Sequence, residues 1–361
     1  MTKKIKLALQ AGGALGAIEC GALIRILEDD RFEITGLSGA SAGSIMSVAC
    51  AAGMDEGGRQ GAIQKLNEVL EAQCYDEALK QIPLIGKPSS FFSRKFSSFA
   101  ASINKYDRFD VIRKTQANVH AAAMGVLSRI LGNIDTLIKE QIDFEALRTK
   151  KDGVPVFVCA TDIADNTPRV FGRQEICEKA VMASCAIPGV IGAVEIGGRK
   201  YWDGAMSDNP AIEPLKNGDD IIVIQTFPYQ QMKAEEKANP LNKLVDMFCN
   251  NSVRKDIESI QKDNQRITDH PAEAAKIGLK TIHTHMINID ELHPGKAIPN
   301  HSLCFDRHHL YELRDAGYQA ADKWIKENYD NIGVKSTFTG FGSSNSDKPV
   351  KKRKPSKSKS T

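Results

Sequence analysis

Three short segments hold residue types that could do chemistry. The first is Gly39-Ala40-Ser41-Ala42-Gly43. A short apolar run, Ile34 to Leu37, precedes it, and small and apolar residues from Ser44 to Ala52 follow. That order predicts a strand, a tight turn and a buried helix, with Gly53 as its C-terminal cap. A serine on such a turn is pushed out where its hydroxyl can attack a carbonyl, and only small flanking residues fit there. The N-terminus of the following helix favours developing negative charge. A plain Gly/Ser turn, or a loop that cradles phosphate, carries the same signature.

The second segment is Gly12-Gly13-Ala14, with Gly16 close behind. It lies between a strand candidate, Ile5 to Leu9, and a helix in which Ile18, Ala22 and Ile26 recur at helical spacing. Consecutive amides in that turn can donate to an oxyanion. The competing reading is a dinucleotide loop. Ala11 holds the place of the first glycine of G-x-G-x-x-G, and Glu33 falls before the second strand rather than after it. The third segment is Asp203-Gly204-Ala205, directly after a hairpin pattern from Val194 to Trp202 centred on Gly197-Gly198. Glycine after the acid permits a backbone that aims the carboxylate. An Asp-Gly pair is also an ordinary turn.

The elements that must position these segments read as alternating short strands and helices. Val154 to Ala160 and Ile221 to Ile224 are continuous apolar runs, the mark of strands buried on both faces. Helices are expected over 60–80, 117–147, 174–186, 306–328 and most of 233–280, and a last strand near His285 to Ile289. The expected fold is an α/β/α sandwich around a mainly parallel sheet. One hydrolase-like domain over 1–334 is expected, its core at about 5–226, with an insertion at 54–150 and a helical segment at 230–330. Residues 335–361 read as a disordered basic tail.

Composition narrows the setting. The chain has 361 residues and a formal charge of +3. Residues 348–361 carry seven Lys and Arg and no acid, so the body without them stands at −4. The basic character belongs to the tail, and no specific nucleic-acid partner is expected. The eight cysteines form no C-x-x-C pair and read as reduced, buried thiols. The histidines show no H-E-x-x-H pattern or helical i,i+4 ligand pair, so no metal and no cofactor are expected. The apolar stretch Leu7 to Leu27 is interrupted by Gln10, Glu19 and Arg25. No signal peptide or membrane span is therefore expected, and the reading is cytoplasmic, with peripheral membrane contact open.

The three segments together, in this order, resemble the patatin-like phospholipase family over roughly residues 5–226. Connecting text shares the likeness: Ala160-Thr161-Asp162, Ala183-Ser184-Cys185-Ala186-Ile187-Pro188-Gly189, and Gly198 through Pro210. The resemblance implies a Ser41–Asp203 dyad without histidine, with Gly12, Gly13 and Ala14 as the oxyanion hole. Gly16, Gly39, Gly43, Gly204 and Ala205 would support those motifs. It implies acyl hydrolysis of phospholipid or lysophospholipid, neutral glycerides being possible. Two positions depart from the family pattern. Ala11 stands where a glycine is usual, and Leu15 stands where a basic residue is frequent, which puts phosphate recognition by that charge in doubt.

Rivals from other classes are a Ser-His-Asp esterase and a non-catalytic lipid-binding or scaffold protein. A third is a switched enzyme that waits for a protein or small-ligand activator at residues 230–300. Phe91 to Phe99 with Arg94 and Lys95 fits an interfacial lid or a core cover. Lys351-Lys352-Arg353-Lys354 fits a contact to anionic lipid or a solvated tail.

Overall fold

Alternate residues of the first strand belong to different layers. Ile5, Leu7 and Leu9 join one apolar cluster, and Ala8 joins another. This is the period-2 geometry of a strand buried on both faces. In this computed structural model, residues 2–74, 136, 138–188, 191–227, 240–288 and 304–340 are described. In chain order the elements are β1 (Lys3–Leu9), α1 (Gly16–Leu27), β2 (Phe32–Ala40), α2 (Ala42–Gln73), α3 (Phe144–Thr149), β3 (Val156–Asp162), β4 (Thr167–Gly172), α4 (Glu178–Ser184), β5 (Val194–Ile196), β6 (Arg199–Asp203), β7 (Asp220–Ile224), α5 (Pro240–Asp269), α6 (Pro271–Lys276), β8 (Thr284–Ile287) and α7 (Arg307–Asn328).

The strands form one eight-stranded sheet along the path β5-β6-β3-β2-β1-β7-β8, with β4 also paired to β3. β3, β2, β1, β7 and β8 pair in parallel; β4, β5 and β6 enter antiparallel. Ile222 and Ile224 of β7 point into the cluster that holds Leu23 of α1, Met46 of α2 and Leu310 of α7. Ile221 and Val223 point into the cluster that holds Val253, Ile257 and Ile260 of α5. Helices therefore cover both faces of a mainly parallel sheet, as the alternating pattern predicts.

Some details differ from the sequence reading. Gly53 does not end a helix. The chain leaves helical geometry at Gly57 and Gly58 instead, and α2 resumes to Gln73. The two halves fold against each other so closely that a Cβ on Gly53 would lie 2.5 Å from Gly61 O. Strand β4 was not expected, because Pro168 and Arg169 interrupt any apolar alternation. Helix α4 is shorter than 174–186, and Arg173–Glu175 forms a separate 3-10 turn. Residues 336–338, assigned to the tail, run beside β8: Phe338 N–H donates to Thr284 O at 2.9 Å and Thr284 Oγ1 donates to Phe338 O at 2.6 Å. The Phe91–Phe99 stretch and the basic run at 348–361 lie outside the described residues. No described helix is long and apolar enough to cross a membrane.

Candidate active site

Strand β3 acts as a ruler for the site. Cys159 faces Ala40 and Val170, and the next residue, Ala160, faces Asp203 and Arg169. Because β4 runs unbroken along one edge of β3, β2 and β6 meet end to end on the other. Ala40 and Asp203 therefore occupy consecutive positions, and Ser41 follows directly on Ala40. Gly204 makes the junction possible: a Cβ there would lie 2.3 Å from Cys159 O and 3.3 Å from Ala40 Cβ.

Ser41 leaves the sheet with φ 52° and ψ −120°, a left-handed conformation that L residues avoid unless the surroundings impose it. The surroundings do impose it. A Cβ on Gly39 would lie 2.1 Å from Gly43 O, and one on Gly43 would lie 2.5 Å from Leu9 O. The turn is thus wedged against the end of β1. Ser184 Oγ accepts the Ser41 N–H at 2.9 Å, and Ser44 Oγ donates to Ser41 O at 2.6 Å.

Asp203 is held at the backbone and at the carboxylate. Its N–H donates to Ala186 O at 2.9 Å, and its C=O accepts from Thr161 Oγ1 at 2.8 Å. Oδ1 accepts the Ala205 N–H at 2.9 Å. Ser41 is 6% exposed and Asp203 2%. Burial pushes the Asp203 carboxyl up to about 6, against the Ala205 N–H and the Ser41 hydroxyl, which favour its charge. The neighbouring Cys185 thiol is raised by burial, so it stays neutral beside the serine.

The glycine loop closes the arrangement. Gly13–Leu15 forms a 3-10 turn, and Leu15 N–H donates to Gly12 O at 3.1 Å. Among the described residues, no protein acceptor pairs with the N–H of Gly12, Gly13 or Ala14. Gly16 lies against Ala42, a Cβ there falling 2.8 Å from Ala42 Cβ, so the N-termini of α1 and α2 converge. Both helix dipoles then favour an anion at this end of the sheet. Leu15 is 2% exposed and belongs to the core. It therefore supplies no charge to a substrate.

Sequence reading missed several supports. Ser184, Thr161 and Ala186 stood only in connecting text. Asn209, whose Oδ1 accepts the Ala11 N–H at 2.6 Å, was quoted without a role, and Thr226 was not singled out. His285 pairs with Asp220 at 3.1 Å. Asp220 lies level with Ile5, and His285, opposite Ile222, lies level with Leu7, whereas Gly39, two residues before Ser41, lies level with Leu9. The Asp220–His285 pair therefore sits toward the strand starts, away from Ser41. His120, His293 and His301 lie outside the described residues.

Residues 7–216 match the sequence model of a family described as Patatin-like phospholipase. The chain belongs to that family. Members of the patatin-like family are lipid acyl hydrolases. Relatives include uncharacterized NTE family proteins of Mycobacterium tuberculosis and Mycobacterium bovis, 24% identical over 249 residues, covering 67% of this chain and 56% of theirs. The chain spans little more than half the length of these relatives. Among solved structures, VipD from Legionella pneumophila is 14% identical, covering 88% of this chain and 67% of that chain, with a TM-score of 0.34. Human GIVD cytosolic phospholipase A2, in complex with methyl gamma-linolenyl fluorophosphonate, is 11% identical, covering 91% and 59%, with a TM-score of 0.40. Likenesses that distant transfer nothing about the site.

Proposed function

We propose that this patatin-like chain cleaves carboxylic ester bonds of membrane phospholipids or lysophospholipids through Ser41 and Asp203. The observation that carries the proposal is the register on β3, which sets a strained serine beside a buried carboxylate where two helix N-termini converge with loop amides that no acceptor among the described residues pairs.

Ser41 Oγ attacks the ester carbonyl carbon, and its proton passes to Asp203. The carbonyl oxygen becomes an oxyanion held by the amides of Gly12, Gly13 and Ala14. The C–O bond then breaks, and the leaving alcohol takes the proton from Asp203. Water attacks the acyl-serine while Asp203 again accepts a proton, releasing a fatty acid and restoring Ser41. An ordinary carboxylate, with a pKa near ~3.9, is a weak base for an alcohol. Burial that lifts Asp203 to about 6 makes it a stronger one while leaving it mostly ionised at neutral pH.

The test is lipid product analysis on mixed phospholipid vesicles with wild type, Ser41→Ala, Asp203→Asn and each single His→Ala. Free fatty acid from wild type and the histidine variants, and none from the first two, supports the dyad. A histidine variant as inactive as Ser41→Ala replaces it with a triad. Lipid binding without product in wild type leaves a lipid-binding protein.

A further inference from the structure

Helix α5 lies outside the segment that matches the family, 7–216, and carries no motif. Yet it reaches the glycine loop through a chain of buried polar side chains. Gln10, Gln225, Thr226 and Asn250 are all fully buried. Asn250 uses every hydrogen-bonding position an amide side chain has. Its Oδ1 accepts from Gln10 Nε2 at 3.2 Å and from Gln225 Nε2 at 3.0 Å. Its Nδ2 donates to Phe227 O at 3.1 Å and to Asp246 Oδ1 at 2.8 Å.

These contacts end on the peptide immediately before Gly12. Gln10 Nε2 also donates to Cys249 O on α5 at 2.6 Å, and Gln10 Oε1 accepts the Thr226 N–H at 3.2 Å. Thr226 Oγ1 donates to Ala11 O at 2.6 Å. The Ala11 N–H donates to Asn209 Oδ1 at 2.6 Å, and the Asn209 N–H donates to Ser252 Oγ of α5 at 2.8 Å. Both polar groups of Ala11 are thus clamped, and each clamp leads back to α5. Ala11 itself packs in a small apolar cluster with Ala40, Cys159 and Ala211, whereas Ala14 and Leu15 further along the loop pack in the main core.

We infer that α5 is a clasp that sets the direction of the Gly12–Ala14 amides, with Asn250 as its central positioning residue. This rests on the proposed hydrolase reading for its kinetic consequence. Oxyanion donors act only within a narrow distance window, so a small shift of the loop costs rate without weakening ground-state binding. The stretch that carries no motif in sequence acquires a role: it holds the oxyanion loop from outside the matched region.

The experiment compares Asn250→Leu, Thr226→Val and Asn264→Leu in the full chain, with kcat, KM, melting temperature and hydrogen exchange of the Gly12–Ala14 amides. Asn264 lies about 21 Å further along α5, and its side chain bonds Ile282 through Nδ2 at 2.8 Å and Oδ1 at 3.1 Å. It is the control for general loosening of the helix. Asn250→Leu and Thr226→Val are expected to lower kcat by about 10- to 100-fold with KM within about threefold, and to speed exchange of the loop amides. Asn264→Leu should lower the melting temperature and leave kcat within about twofold. Gln10→Leu combined with Asn250→Leu should be no worse than the poorer single variant, since both act through one loop.

Unchanged kcat and unchanged exchange in Asn250→Leu overturn the clasp. So does an equal kcat loss in Asn264→Leu at matched melting temperature. If Asn250→Leu does not fold, Thr226→Val, which leaves α5 intact, decides between these outcomes. If wild type hydrolyses no ester, the hydrolase reading fails, and the exchange data alone still decide whether α5 holds the loop.

Discussion

At the strand starts of β7 and β8, the buried Asp220–His285 pair is hydrogen-bonded on both sides; at the strand ends that carry Ser41, the groups around Ala11 are paired, but among the described residues Glu19 is not. Asp220 Oδ2 accepts from Gly333 N–H at 2.6 Å and faces His285 Nε2 at 3.1 Å. The other ring nitrogen of His285 meets Thr337 Oγ1 at 2.8 Å, and the ring packs edge-on against Trp324. Buried Lys6 nearby donates to Leu215 O at 2.8 Å. At the other end, Asp203 is ionisable but raised by burial, and Asp208 is pushed up to about 7 by burial and by Asp256 and Glu213. Glu19, fully buried one turn into α1, has no well-formed hydrogen bond to either carboxyl oxygen among the described residues. Burial lifts its carboxyl well above the usual range, opposed only by the Gln10 backbone. One end is satisfied and stabilises; the other stores unsatisfied polarity beside the groups proposed to react.

The largest expected effect is on chemistry. Ser41→Ala should reduce fatty-acid release by more than about 10³-fold while its melting temperature stays level or rises. A clear fall in melting temperature would mean that this end is built for stability after all.

Asp203→Asn should be comparably inactive and more stable at pH 8, by a few °C on the order expected for about 1 kcal/mol. The sign follows from the raised carboxyl. A group protonated more readily when folded contributes stability in full below its unfolded pKa of ~3.9, and that contribution is lost as pH rises through about 6. Asparagine never ionises, so the gain over wild type should shrink from pH 8 towards pH 4. In wild type, kcat/KM should fall below about pH 6, as the base becomes protonated.

Asp220→Ala should show the reverse profile. It strands the Gly333 N–H and a ring nitrogen of His285, at a cost of about 1–3 kcal/mol in urea denaturation. Its kcat per folded molecule should stay within about twofold of wild type. A matching loss of kcat would join the two ends into one unit and end the contrast.

The smallest effect is expected from Glu19→Gln, which keeps shape and removes the ionisable group. Stability should rise by up to about 1 kcal/mol at pH 8 and not at pH 4. The raised Glu19 carboxyl contributes stability at low pH that wild type loses as pH rises. A destabilised Glu19→Gln would show that Glu19 has a partner this end of the sheet depends on.

Much of the scaffold is legible in the sequence because it rests on local rules. Ile5, Leu7 and Leu9 alternate, the Ile221–Ile224 run is uninterrupted, and Gly197-Gly198 marks the hairpin, both glycines taking positive φ. The serine turn is legible too, since only small residues can pass where Gly39 and Gly43 nearly touch. The errors fall where non-local packing overrides a local signal. Gly53 looks like a cap but serves a backbone contact with Gly61, and the chain turns at Gly57-Gly58 instead. Strand β4 forms despite Pro168 because the free edge of β3 supplies its hydrogen bonds.

By itself the sequence marked which residues are candidates to react: a serine on a sharp strand-to-helix turn needs small neighbours, and a glycine loop before a helix offers amides. Those are properties of a few adjacent positions. Only the tertiary structure decided that Ser41 and Asp203 are neighbours, because their adjacency depends on β2 and β6 meeting at Cys159 and Ala160 of a third strand. It alone also decided that burial raises the Asp203 carboxyl and that Asn250, far along the chain, bonds the Gln10 side chain just before the glycine loop. Burial and register are sums over the whole fold, and no local pattern carries them.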